Sequence, residues 1–174
     1  MMMRMIAAAG VPVLTDGRRA PDEDNPAGYF ELEAAKRTRE DPSWLQGADG
    51  KVVKLVHVLL KDLPATHRYK VVLMHRDLDE VIASQQKMLD RTGRKGAAIA
   101  SGALKRIFAA QLKSVEDWVA ARPNFARLDV SYNQILQDPN SEASRVAAFL
   151  GMPERGPAMA AAVDEGLYRN RKVP

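Results

Sequence analysis

Residues 69–84 read YKVVLMHRDLDEVIAS. Residues 69–74 are short, β-branched and almost continuously apolar, which is the pattern of a strand buried on both faces of a parallel sheet. Asp77, with Glu80 three residues on, has the spacing of a helix-capping box. Leu78, Val81, Ile82, Gln85 and Leu89 then recur on one face of a helix from about 78 to 91. The stretch therefore reads strand, turn, helix, with Arg76 at the strand's carboxyl end and Ser84 about two turns into the helix.

Further units flank this one. Residues 51–58, KVVKLVHV, read as another interior strand, and residues 126–130, ARLDV, as a third. A long helix is expected over about 97–121, where Leu104, Phe108, Leu112, Val115, Trp118 and Val119 keep a helical period. A short helix follows Tyr132. Another runs from a cap at Asn140 or Ser141 to Leu150, closed by Gly151 and Pro153. Residues 1–9 read as helix ended by Gly10 and Pro12, and residues 15–28 as a polar loop before a short helix through Thr38. Alternating strands and helices predict an α/β fold with a mostly parallel sheet flanked by helices, in one domain over residues 1–174.

Composition narrows the functions. The 174 residues carry 26 Lys and Arg against 22 Asp and Glu, a formal charge of +4. That mild excess suits anionic small molecules and lacks the basic stripe of a DNA-binding domain, and aromatics at 6% are too few for a single-strand stacking platform. No nucleic-acid partner is expected. With no cysteine there is neither a disulfide nor a thiolate nucleophile. No apolar run approaches the roughly 20 residues of a spanning helix, so no membrane span is expected, and a cytoplasmic location is. His67 and His75 show no metal-ligand spacing with carboxylates, so no metal is expected.

Open parallel sheets bind ligands outside the carboxyl ends of their strands, which directs attention to residues after Val58, Met74 and Val130. Arg76 offers a planar fork of donors suited to phosphate or sulfate oxygens, and Ser84 a hydroxyl for the same anion. The plainer alternative pairs Arg76 with Asp77 or Asp79 and packs Ser84 against the sheet.

Residues 71–84 resemble the segment with which sulfotransferases grip the 3′-phosphate of 3′-phosphoadenosine-5′-phosphosulfate. That family has an arginine after a strand and a serine eight positions later, matched by Arg76 and Ser84. Residues 130–139, VSYNQILQDP, and 146–151, VAAFLG, resemble the family's later strand, turn and helix. Residues 15–31, TDGRRAPDEDNPAGYFE, and 167–172, LYRNRK, are similar to a bacterial branch of it. The resemblance implies a P-loop-type nucleotide-binding fold, the phosphosulfate nucleotide as co-substrate, and a small-molecule or glycan acceptor with a hydroxyl or amine. It implies the nucleotide at Arg76 and Ser84, with late anion contacts from Arg169 and Arg171 in the basic tail. The alternative for that tail is an exposed terminus. His57 stands roughly where some members carry a catalytic base; the alternative is a structural histidine. Lys54 reads as structural or as a minor anion contact. Arg18 and Arg19 could meet an acceptor or lie in a solvated loop. Arg94, Lys95 and Gly96 come too early in chain order for the family's late Arg-Lys-Gly motif and read as a solvated loop.

One departure stands out. Family members open on a strand and a Gly-rich loop whose backbone N–H groups hold the 5′-phosphosulfate. This sequence has no such loop, and residues 1–17 look like the helix that follows it. The expectation is a fold truncated at its N-terminus, lacking a central strand and leaving unpaired edges on both neighbours. Three readings stay open: a sulfotransferase completed by upstream residues, a non-catalytic nucleotide-binding relative, and an inactive fragment.

Overall fold

A computed structural model describes residues 1–22, 25, 28–93, 100–164 and 166. Its sheet has two parallel strands, β1 (Tyr69–His75) and β2 (Phe125–Ser131), paired from Tyr69↔Phe125 to His75↔Ser131. The helices are α1 (Met2–Ala8), α2 (Leu78–Thr92), α3 (Ser101–Ala120), α4 (Tyr132–Gln137), α5 (Pro139–Leu150) and α6 (Gly156–Ala161). The mixed α/β architecture with a parallel sheet flanked by helices is the expected one.

Strand alternation divides the core. Val72, Met74, Leu128 and Val130 face one side, where Met5, Ile135, Val146 and Met159 are fully buried among α1, α4, α5 and α6. Tyr69, Val71 and Phe125 face the other, against Val115 and Val119 of α3 and Leu45, Leu60 and Leu63. There Tyr69 stacks on Phe125 at 4.7 Å between ring centroids and Trp118 meets Phe125 edge-on at 5.2 Å. Burial of Val115 and Val119 bears out the predicted period of the long helix.

Two local readings need correction. Residues 51–58 are not a strand. Val52 makes an isolated bridge to Val13, and His57–Asp62 is a 3-10 helix. A strand needs a neighbour with which to exchange backbone hydrogen bonds. Among the described residues the backbone groups of Val53, Lys54 and Leu55 have no partner. The helix at 139–150 is capped by Asp138, not Asn140 or Ser141: its carboxylate accepts from Ser141 N at 3.0 Å, with Pro139 in the first turn. It ends, as predicted, at Gly151, whose φ of 89° is the left-handed conformation that favours glycine.

Beside the sheet lies a groove of about 1310 Å³. Val71, Val72 and Met74 of β1 line it, as do Val53, Leu55 and Val56. Among the described residues β1 hydrogen-bonds through one edge only, to β2.

Candidate functional site

The turn after β1 fixes Arg76. Asp77 caps α2 by accepting from Asp79 N at 2.8 Å, so the helix starts directly behind the strand. Arg76 Nε donates to Glu80 Oε2 at 2.9 Å, and Glu80 is buried at 5% exposure. The guanidinium also lies 4.6 Å from the centroid of the Tyr132 ring. A buried carboxylate needs a cation, so Glu80 and Tyr132 together orient the fork. Glu80, read from sequence as half of a capping box, thus gives its carboxylate to Arg76. Asp77 and Asp79, the partners considered first, are not the ones in this ion pair.

Ser84 is half-buried on α2, one turn beyond Glu80. A spacing of four residues places both on one helix face, about 6 Å apart along the axis. Arg76 and Ser84 are therefore carried by one strand-to-helix unit, with Glu80 between them in sequence.

Tyr132 is the residue that sequence reasoning missed. It follows β2 directly, at the same carboxyl edge as Arg76. Burial pushes its hydroxyl pKa up, Arg76 opposes that shift, and Glu80 and Asp164 add to it. Arg4 of α1 pairs with the same Asp164 at 3.5 Å, which brings α1 to this corner. The signal was its position just past a strand's carboxyl end.

His57 opens the 3-10 helix and lines the groove; it does not follow a strand. Its Nε2 is buried and has no hydrogen-bond partner. Burial lowers its pKa, and a side-chain hydrogen bond to Gln111 partly opposes this. The ring is neutral at neutral pH and can accept a proton.

Lys54 also lines the groove and holds the loop at residues 28–31. Its ammonium donates to the Tyr29 carbonyl at 3.0 Å and lies 3.7 Å from Glu31. Burial lowers its pKa; Glu31 opposes the shift and Arg19 adds to it. Arg19, read as a possible acceptor contact, stacks on Tyr29 at 3.3 Å and pairs with Glu31 at 3.2 Å, so it braces this loop. Arg18 is exposed and lies 4.0 Å from Asp16.

His75, Glu116 and Asp129 come together on the α3 face, their ligand atoms within 4.8 Å of one another, an approach that sequence spacing did not reveal. His75 Nε2 is 2.7 Å from Asp129, and Arg127 Nε is 3.0 Å from its other oxygen, so Asp129 already has a cation beside it. Arg94, Lys95 and Gly96, and Arg169 and Arg171 of the tail, lie outside the described residues.

An arginine presented at a strand's carboxyl end, with a serine on the following helix, is the arrangement the resemblance implied. Among known families, the model of the sulfotransferase family matches residues 20–155. The chain belongs to the sulfotransferase family. The match includes Arg76, Glu80, Ser84, Tyr132 and His57. No curated protein matches this sulfotransferase-family chain, and no solved structure does. Among the described residues no helix is long and apolar enough to cross a membrane.

Proposed function

We propose that this chain carries the donor-nucleotide half of a sulfotransferase that moves the sulfuryl group of 3′-phosphoadenosine-5′-phosphosulfate to a hydroxyl or amine of a small-molecule or glycan acceptor. The observation that supports this most is Arg76 held at the carboxyl end of β1 by buried Glu80 and the Tyr132 ring. Arg76 and Ser84 bind the 3′-phosphate, the arginine by its fork and the serine by its hydroxyl. A fork oriented before the ligand arrives loses less entropy on binding.

In the reaction the acceptor atom forms a bond to sulfur as the bond from sulfur to the 5′-phosphate oxygen breaks. The bisphosphate leaves with that electron pair. The acceptor's proton goes to a base, and neutral His57, with its buried Nε2 in the groove, is our candidate. Charge growing on the bridging oxygen needs donors aimed at it, which a Gly-rich loop supplies in this family. The sequence contains no such loop, which favours a second reading: a relative that holds the nucleotide without transferring sulfate.

Calorimetric titration with 3′-phosphoadenosine-5′-phosphate, against 5′-AMP, tests the assignment. Selective binding of the bisphosphate is expected, weakened about 10- to 100-fold in Arg76→Ala for the loss of a charged hydrogen-bonding group. Because that variant removes the cation paired with buried Glu80, the Arg76→Ala, Glu80→Ala pair serves as its control: stability returns and binding does not. Equal affinity for the two nucleotides would refute the site. Sulfate transfer by a form extended ahead of Met1 would separate the enzyme from the binding relative.

A further inference from the structure

Among the described residues Phe30 alone has a positive φ, 52°, without being a glycine. That left-handed conformation is uncommon for a bulky side chain and persists only where the surroundings over-determine it. Here both neighbours are pinned. Tyr29 is buried, its hydroxyl lies 2.7 and 2.8 Å from the two Asp22 oxygens, and Arg19 stacks on its ring. Its carbonyl accepts from Lys54 at 3.0 Å. The Glu31 carbonyl accepts from Thr15 Oγ1 at 2.8 Å and from Asp16 N at 3.3 Å, and its carboxylate is shared by Arg19, Lys36 and Lys54. Phe30 takes up the turn between these two fixed residues.

Core packing does not account for the Phe30 ring. The residue is half-buried, packs against neither hydrophobic core, and among the described residues has no aromatic or cationic partner. It lines the groove, together with Tyr29, Lys54 and His57. The hydrogen bond from Lys54 to the carbonyl just before Phe30 ties the loop to the segment that carries His57. Burial, then Arg4 and Lys54, lower the pKa of the Met1 amine, so both cations lie near it. Arg4 in turn reaches the Arg76 corner through Asp164, and Tyr132 of that corner also lines the groove. The strained loop, the candidate base and the Arg76 corner thus border one groove.

We infer that Phe30 is a specificity-determining residue for the acceptor, its ring stacking on a planar ring that lies next to the reacting hydroxyl or amine. This rests on the transfer reading given under the proposed function, and it adds the class of acceptor. A phenyl face set in place by the backbone binds a planar partner without the entropy loss of ordering itself first. Lys54 stays beneath the loop as its brace, and His57 keeps its Nε2 for the acceptor's proton. A saturated alcohol of equal size offers no planar face, so the same ring discriminates against it.

Titration of the 174-residue chain with 2-naphthol, followed by amide NMR shifts, tests this. Residues 29–31 and 54–57 are expected to respond. Decahydro-2-naphthol, with the same carbon skeleton and no planar face, should bind about 3- to 10-fold more weakly. Phe30→Leu should weaken 2-naphthol binding by a similar factor, and Phe30→Tyr should keep it. Phe30→Gly adopts the positive φ freely, so it removes ring and strain together, and a folded chain without the preference for the planar ring is expected. Equal affinity for the two alcohols would overturn the inference. So would 2-naphthol binding unchanged in Phe30→Leu, shifts confined to residues outside the loop, or no binding at all. Tighter binding of methyl β-glucoside than of 2-naphthol would overturn the planar class in favour of a sugar. Bisphosphate titration of the same samples separates the two readings. Bisphosphate bound without a Phe30-dependent preference breaks this inference alone, and the preference without bisphosphate binding breaks the Arg76 reading alone.

Discussion

At the carboxyl end of β1, Arg76 is gripped by a buried carboxylate and an aromatic ring. Behind it lies a core in which Met5, Ile135, Val146 and Met159 have no exposure. Across the groove, residues 51–58 hold one isolated bridge, and Val56 and Val58 are 57% and 40% exposed. The same strand borders both regions. Among the described residues its one side pairs with β2, and its other side borders the groove. The comparison teaches that the position of Arg76 is specified locally, within one strand-to-helix unit and its Glu80 partner.

The largest effect should come from the packed side. Ile135→Ala is expected to destabilise by about 2–5 kcal/mol, because the cavity it leaves is closed on all sides. Val56→Thr on the groove wall should stay within about 0.5 kcal/mol. Denaturant unfolding of the two variants measures both, and a comparable loss would erase the contrast.

Next is the ion pair at the corner. Arg76→Ala alone should destabilise by about 1–3 kcal/mol, since buried Glu80 loses the guanidinium it is paired with. Pairing it with Glu80→Ala should recover most of that loss. If the double variant is no more stable than the single, Glu80 is not what Arg76 neutralises.

Ser84→Ala should weaken bisphosphate binding by about 1 kcal/mol, roughly fivefold, and leave stability unchanged. An unaltered affinity would reduce Ser84 to packing and leave Arg76 as the only side-chain anchor on that unit.

The smallest effect is pH-dependent. The pKa of His57 is lowered in the folded chain, so the unfolded chain binds more protons as pH falls through about 6.5 and below. Stability contributed by neutral His57 is present above that range and is lost on acidification. The drop in Tm between pH 7.5 and 5.5 should be smaller in His57→Gln. An identical drop would mean that the ring is not shielded.

The strand-to-helix unit was legible because its signals are local. Continuous apolar residues, Asp77 at the cap and the period of α2 all agree, so Arg76 and Ser84 could be placed before any contact was known. Residues 51–58 carry similar strand chemistry and were misread, because a strand depends on a neighbour that the sequence of the segment itself cannot supply. Tyr132 and the partnership of Arg76 with Glu80 depend on how β2 lies beside β1. Only the register of the sheet reveals them.

The most direct test follows the two phosphorus signals of 3′-phosphoadenosine-5′-phosphate by NMR as the 174-residue chain is added. The account predicts that the 3′-phosphate shifts and broadens, that the 5′-phosphate changes little, and that Arg76→Ala needs about 10- to 100-fold more chain for the same response. A shift of the 5′-phosphate alone, or a response unchanged in Arg76→Ala, would contradict it.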